Sequence, residues 1–352
     1  MGGGSTDEER LRALTAGFDV DVFPFDRATK ARSGRRLLRE IRRRRYDLVV
    51  MEGTGLAGGL ALILGRLLAG VPYVVSSGDA VGPFVGSKIP LLGPAFGLYE
   101  RVLCAFSAGF IGWTPYLAGR ALSFGAPRAM TAAGWTPSAL SPERRDAARD
   151  RVRRRLGISA GALVVGVAGS LVWNRRVAYC YGWELVKALK HAEGPAVAAL
   201  IVGDGDGRRR LEELAGQDAG RRVHFTGRVP RPEVPEHLAA MDLASLPQSV
   251  DGVGSFRYTT KLSEYLAAGL PVVTGQLPFA YDLDDGWLWR LPGQAPWRPS
   301  YPRALAALLD GLGADELRRK AEAASRAAGY FDRERQARQT TAFLTDILAR
   351  RP

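Results

Sequence analysis

Residues 259–273 read TTKLSEYLAAGLPVV. Thr259 or Thr260 can cap a helix, Gly269 ends it, and Pro271 leads into an apolar run of the kind a buried strand takes. The stretch is therefore one helix-to-strand step of a parallel sheet. Its polar residues also gather at one end. Lys261 lies in the first turn, where free N–H groups and the positive end of the helix dipole already favour an anion, and Glu264 follows one turn later. An ordinary capped helix would satisfy the same pattern.

Working outward, short β-branched runs alternate with helix-length segments, which is how parallel α/β sheets are built. In the second half strands are expected at residues 163–168, 198–202, 223–225, 243–246 and 271–274, with helices at 181–191, 208–215, 232–239 and 260–268. The first half reads helix 6–15, strand 19–23, helix 34–45, strand 47–51, helix 58–68, strand 73–76, helix 98–108, strand 109–113 and helix 115–124. Residues 137–155, with two prolines and a charge run, read as the connection between domains. The expected division is a first Rossmann-like domain over 1–150, a second over 151–331, and a last helix over 332–352 crossing back to the first. At the start, Gly2, Gly3 and Gly4 precede a helix that Ser5 with Glu8, or Thr6 with Glu9, would open as a capping box. Such a loop usually follows a strand, and none precedes it, so either the chain begins upstream or the domain lacks its usual first strand.

At 352 residues and 46% hydrophobic content, two cores are the default. The two cysteines, Cys104 and Cys180, share no metal-like spacing with His191, His224 and His237, which argues for free thiols in a reducing compartment. No apolar run reaches the length a bilayer crossing needs, and the N-terminus lacks a secretory pattern, so a cytoplasmic protein is expected. The net charge is +13 and nearly all 49 basic residues are arginine. They gather at Arg35, Arg36, Arg39 and Arg42 to Arg45, and again at Arg149, Arg151 and Arg153 to Arg155. A solvated helix face is the first reading of both, with peripheral contact to an anionic membrane second. Without interleaved aromatics, no nucleic-acid partner is expected.

Three further strings accompany residues 259–273: GVAGSLVWNRR at 166–176, IVGDGDGRRRLEELA at 201–215 and VHFTGRVPRPEVPEHLAAMDLASLP at 223–247. In this order and spacing they resemble the donor domain of GT-B-fold glycosyltransferases, especially the retaining family 4 (glycosyl transferases group 1). The resemblance covers residues 157–330 well and the first half in outline. It implies α/β architecture of the GT-B kind, two Rossmann-like parallel-sheet domains facing across a cleft, and transfer of a hexose-type sugar from a nucleoside-diphosphate sugar with retention and without a metal. It also implies that Arg175 neutralises the diphosphate. Ser170 stands where many members carry a second basic residue, so Arg176 is the compensating candidate. Arg228 and Val229 fall where backbone groups meet the base. Thr259, Thr260 and Lys261 open the helix that grips the donor, and Glu264 matches the glutamate expected to bind the ribose. Eight positions before Glu264 the family's other glutamate is replaced by Phe256.

Chemistry agrees with the resemblance: a leaving diphosphate can be stabilised by cations and helix N-termini alone. Asp204 and Asp206 have a metal-like spacing, but a turn after a strand favours the same residues; neither a cofactor nor a metal is expected. Relatives often present a histidine to the sugar from the first domain, which here has none. Asp79, past the strand at 73–76, is its best replacement as a catalytic residue, and Glu52, in MEGTG, is the second. Loop capping is the plain alternative for Asp79. The expected partners are a nucleotide-sugar donor and a small-molecule, glycan or lipid-linked acceptor. The alternatives are a non-catalytic sugar-nucleotide-binding protein or a sugar-nucleotide 2-epimerase.

Overall fold

Four strands make the first sheet of the computed structural model, which describes residues 6–26, 28–43, 46–135, 139–194 and 196–350. They are β1 (Val49–Glu52), β2 (Tyr73–Ser77), β3 (Gly109–Gly112) and β4 (Ala129–Thr131), all parallel and in the order β1-β2-β3-β4. Parallel neighbours need crossovers, and the helices Leu56–Ala69, Gly93–Ala105 and Pro115–Ser123 lie in the three connections. All five residues of β2 are buried, and Tyr73, Val75, Leu103, Phe110 and Leu117 fill the core. The strand expected at residues 19–23 does not form. Val20 there is exposed, and β1, the strand at that end of the order, pairs only with β2 among the described residues. The glycine loop and its capping serine lie outside the described residues, as do Arg44 and Arg45.

The second sheet holds β5 (Leu163–Ala168), β6 (Val197–Val202), β7 (Val223–Gly227), β8 (Leu243–Leu246), β9 (Val272–Thr274) and β10 (Leu288–Arg290), in the order β10-β9-β8-β5-β6-β7, again all parallel. β6 is buried along its whole length, and Val165, Val167, Leu185, Ile201 and Leu243 are core residues. Three-residue β4 and β10 carry no readable pattern, and neither was expected from the sequence.

The chain divides into two units. One comprises Met1–Gly134, Phe256–Tyr258 and Asp332–Pro352; the other comprises Trp135–Ser255 and Thr259–Phe331. The boundary near residue 135 corrects the expected 150, because the segment read as a connection is largely a helix, Pro142–Leu156, that belongs to the second unit. Its arginines hold it there. Arg153 donates to the Ala240 carbonyl at 2.9 Å and to Asp242 at 2.7 Å, and Arg149 reaches the other Asp242 oxygen at 2.5 Å. Arg151 pairs with Glu236 and Arg155 meets His237. This second arginine cluster is thus mostly a clamp and not a free basic face. The helix Arg333–Ala349 belongs to the first unit, where Gln336 accepts from the Ala133 N–H at 3.0 Å and Arg128 reaches Asp346.

Candidate functional site

In the second sheet the chain runs from β5 through β6 to β7, then returns to place β8 on the other side of β5. That reversal opens a crevice at the carboxyl ends of β5 and β8, the place where open α/β sheets bind ligands. Gly169 leaves β5 with φ 151°, and a Cβ there would come 2.4 Å from Lys261 Cε. The lysine stem therefore lies directly on the loop backbone, a position only glycine permits. A Cβ on Gly203, at the end of β6, would lie 1.9 Å from the Gly169 carbonyl oxygen, so the two loop starts are also in close contact.

Lys261 sits in the first turn of the helix Thr260–Ala267. Its ammonium stands 4.5 Å from the centroid of the Tyr181 ring, and the Tyr181 hydroxyl accepts from Gln248 Nε2 at 3.0 Å. The helix is tied to the sheet by the Ala168 N–H, which donates to the Tyr265 hydroxyl at 3.0 Å. Among the described residues no side chain caps its N-terminus and Thr259 Oγ1 is buried without a partner, while Thr260 is exposed. Open N–H groups, a lysine and a spare hydroxyl together suit an oxyanion. Burial raises the pKa of Glu264, against the opposing pull of Lys261 and Arg231. The sequence pattern alone does not single out Arg231, Tyr181 or Gln248, although Arg231 lies within TGRVPR.

Arg175 and Arg176 occupy the turn of a small hairpin closed by Asn174 N to Tyr179 O at 2.8 Å and Tyr179 N to Asn174 O at 3.2 Å. Both arginines are exposed, and so is Ser170. The hairpin has a buried anchor. Tyr179 donates to Glu184 at 3.0 Å, Ser245 donates to its other oxygen at 3.1 Å, and the Gly182 N–H adds a third bond at 3.2 Å. Glu184 is fully buried, and desolvation pushes its carboxyl up to about 7. Asp206 accepts from the Trp173 N–H at 2.7 Å, which explains the aspartate of GDGDG as a loop anchor. Arg228 and Val229 line a hollow of about 200 Å³ with Arg155 and His237. The structure thus brings Gly169, Thr259, Lys261 and Glu264 to one crevice, and Arg231, three residues beyond Arg228, acts on Glu264 from the next loop.

In the first unit Glu52 ends β1 and Asp79 follows β2, its register neighbour, so both lie at the carboxyl edge of that sheet. Glu52 is buried. It accepts from Trp113 Nε1 at 3.0 Å and stands 3.5 Å from Arg10, whose guanidinium stacks on Trp113. These contacts give it packing work. Asp79 is half exposed and paired with Arg257, while its N–H donates to Ser77 Oγ at 3.2 Å. Arg257 belongs to the three-residue segment that includes Phe256, whose carbonyl accepts from Thr114 Oγ1 at 2.8 Å.

Residues 162–294 match the family described as glycosyl transferases group 1, and residues 3–134 match the glycosyl transferase 4-like domain. The 2-deoxystreptamine N-acetyl-D-glucosaminyltransferase of Streptomyces fradiae is 30% identical over 200 residues, covering 50% of this chain and 46% of that protein. The 2-deoxystreptamine glucosyltransferase of Streptomyces kanamyceticus is 32% identical over 146 residues, covering 39% and 34%. The chain therefore matches less than half the length of either curated relative. Among solved structures, Anabaena HepE in complex with UDP-glucose superposes with a TM-score of 0.70 at 18% identity, covering 98% of this chain and 97% of that one. WaaG, a glycosyltransferase involved in lipopolysaccharide biosynthesis, gives 0.62 at 18% identity, covering 98% and 96%. Both likenesses establish the fold.

Proposed function

Because the chain belongs to the GT-B glycosyltransferases of group 1, we propose that it transfers a sugar from a UDP-sugar to an acceptor bound by the first unit. The observation that carries this reading is Lys261, held on Gly169 beside an uncapped helix N-terminus at the reversal point of the second sheet. In the proposed reaction the bond from the anomeric carbon to the β-phosphate oxygen breaks, and the acceptor oxygen bonds to that carbon on the face the phosphate leaves. The acceptor proton passes to the departing diphosphate. Lys261, the Thr259 and Thr260 hydroxyls and the helix N–H groups take up the charge that develops there, with Ser170, Arg175 and Arg176 reaching it from the loop after β5. Glu264 accepts from the ribose hydroxyls, and Arg228 and Val229 bound the base. Asp79 orients the sugar or the acceptor hydroxyl, and Glu52 is the second candidate for that role. Fixed cations replace a metal, the family 4 pattern of retention applies, and the buried free thiols of Cys104 and Cys180 suit a cytoplasmic setting.

The test is turnover of UDP-glucose against GDP- and dTDP-sugars, with and without EDTA. Release of UDP that survives EDTA and falls at least tenfold in Lys261→Met supports the reading; loss with EDTA and rescue by Mg²⁺ overturns metal independence. Phe256, in place of a glutamate, favours one second reading, a sugar-nucleotide binder without catalysis. Tight UDP-sugar binding with neither transfer nor hydrolysis would establish it.

A further inference from the structure

Two helices of the first unit, Lys30–Arg43 and Leu56–Ala69, run side by side in the same direction. A Cβ on Gly34 would come 2.8 Å from the Ala57 carbonyl oxygen, and one on Gly65 would come 2.9 Å from Ile41 Cγ2, so the pair is in close contact at both points. On the second helix Leu56, Leu60, Leu64, Leu67 and Leu68 are 42–61% exposed. Their spacing of four and three residues puts them on one stripe, while Leu62 and Ile63 fill the core behind. A helix apolar on both faces normally buries both. Beside this stripe the first helix exposes Arg32, Arg35, Arg36, Arg39, Arg42 and Arg43, and its one acidic residue is Glu40.

Where the two helices end, a hollow of about 670 Å³ opens, reached by Arg42, Arg66, Arg128 and Arg350 and walled by Leu68 and Ile347. Asp346 holds Arg128 and Arg350 in place, and the Arg66 guanidinium rests on the Gly70 carbonyl at 3.1 Å. The hollow lies at the amino edge of the first sheet, where Pro72, Ala108 and Arg128 lead into β2, β3 and β4. Asp79 lies at the opposite, carboxyl edge.

We propose that this face docks on an anionic phospholipid bilayer, with the leucine stripe at the boundary of headgroups and acyl chains, the arginine row on lipid phosphates, and one headgroup phosphate in the hollow. Charge decides among occupants. A two-fold contact between copies would set this arginine-rich face against its own image. A nucleic acid would leave the leucines unused, whereas an interfacial helix pair needs both an apolar row and a cationic one. The inference stands independently of sugar transfer, since its readout is binding.

The experiment is sedimentation of the full chain with vesicles of phosphatidylcholine alone or mixed with phosphatidylglycerol, at low and high salt. Binding to the anionic vesicles is expected, with a fraction that resists salt because apolar insertion is not screened. Leu60→Ser with Leu64→Ser should weaken the salt-resistant binding at least tenfold, and Arg35→Gln with Arg39→Gln should weaken low-salt binding by roughly fivefold per arginine. Both pairs are exposed, and an unchanged circular dichroism spectrum verifies folding. Equal binding to neutral vesicles, no binding to anionic vesicles at low salt, or full binding by the leucine variant overturns the proposal. So does a dimer of the free protein that the leucine variant converts to monomer, which would make the stripe a self-association surface.

Discussion

The Nε of Arg257 lies 2.5 Å from Oδ1 of Asp79, joining residues far apart in sequence but members of the same unit. Both side chains keep substantial access to solvent, so the pair adds little stability, about 0–1 kcal/mol. Its value is positional. Asp79→Asn should leave the melting temperature nearly unchanged while lowering kcat by roughly a hundredfold if the carboxylate assists at the reacting atoms. Normal turnover by the folded variant would reduce Asp79 to a partner of Ser77 and Arg257.

Lys261 and Arg175 should separate in a binding experiment. Lys261 is held in the crevice, whereas Arg175 is exposed at a hairpin turn. A charge-assisted bond to phosphate is worth about 1.5–3 kcal/mol, so Lys261→Met should weaken UDP binding by tenfold or more. Arg175→Ala should cost less for free UDP and more for turnover. Titration calorimetry and steady-state kinetics on the two variants decide this, and equal small losses in both would remove Lys261 from the phosphate site.

Glu264→Gln keeps the shape of the side chain but weakens it as an acceptor, the role proposed for it toward two ribose hydroxyls. UDP affinity should fall while inorganic pyrophosphate affinity holds. Equal losses for both ligands would make this glutamate a structural residue.

Glu184 predicts a pH dependence. Desolvation pushes its folded-state pKa up to about 7 from 4.5, and the titrating groups facing it, Tyr179, Cys180, Tyr265 and Tyr301, include no cation. The folded protein therefore holds this proton more tightly than the unfolded chain. Its contribution is full below pH 4.5 and is lost as the pH rises through about 7, by about 3 kcal/mol in all. In Glu184→Gln that slope should vanish, so the variant gains on the parent between acid and neutral pH. Urea unfolding of both at either end of this range measures it, and parallel pH profiles would contradict the buried-carboxylate account.

Asp242 receives Arg149, Arg153 and the Val164 N–H at 2.7 Å. Removing it strands a buried guanidinium, so Asp242→Ala should cost about 3–5 kcal/mol in denaturant unfolding. A loss below about 1 kcal/mol, the scale of an exposed ion pair, would show that the arginine helix is held by its apolar face alone.

The elements that could be read from sequence were those whose pattern outlasts local noise. Residues 163–168, 208–215 and 243–246 have their expected bounds because each apolar run or amphipathic turn is complete within itself. The strand expected at 19–23 does not form although β1 leaves that edge of the sheet open: residues 19–21 are exposed, so the alternation has no buried face to pack. In the crevice, Lys261 and Glu264 were legible from one helix. Tyr181, Gln248 and Arg231 were not, since what makes them relevant is the folding of three separate loops toward the same strand ends. The charge run at 149–155 misled because clustered arginine looks alike whether it meets solvent or, as here, carbonyls and carboxylates from residues about ninety positions away.

The division of the chain also sets how its parts can be exchanged. The segments at both ends of the chain belong to the first unit, and the chain leaves and re-enters that unit at 134/135, 255/256, 258/259 and 331/332. Topologically the second unit is an insertion with a three-residue stitch back into its host. A fragment ending at residue 134 would lack both the stitch that carries Arg257 and the helix that carries Gln336. Swapping the second unit between relatives thus calls for several junctions, not one.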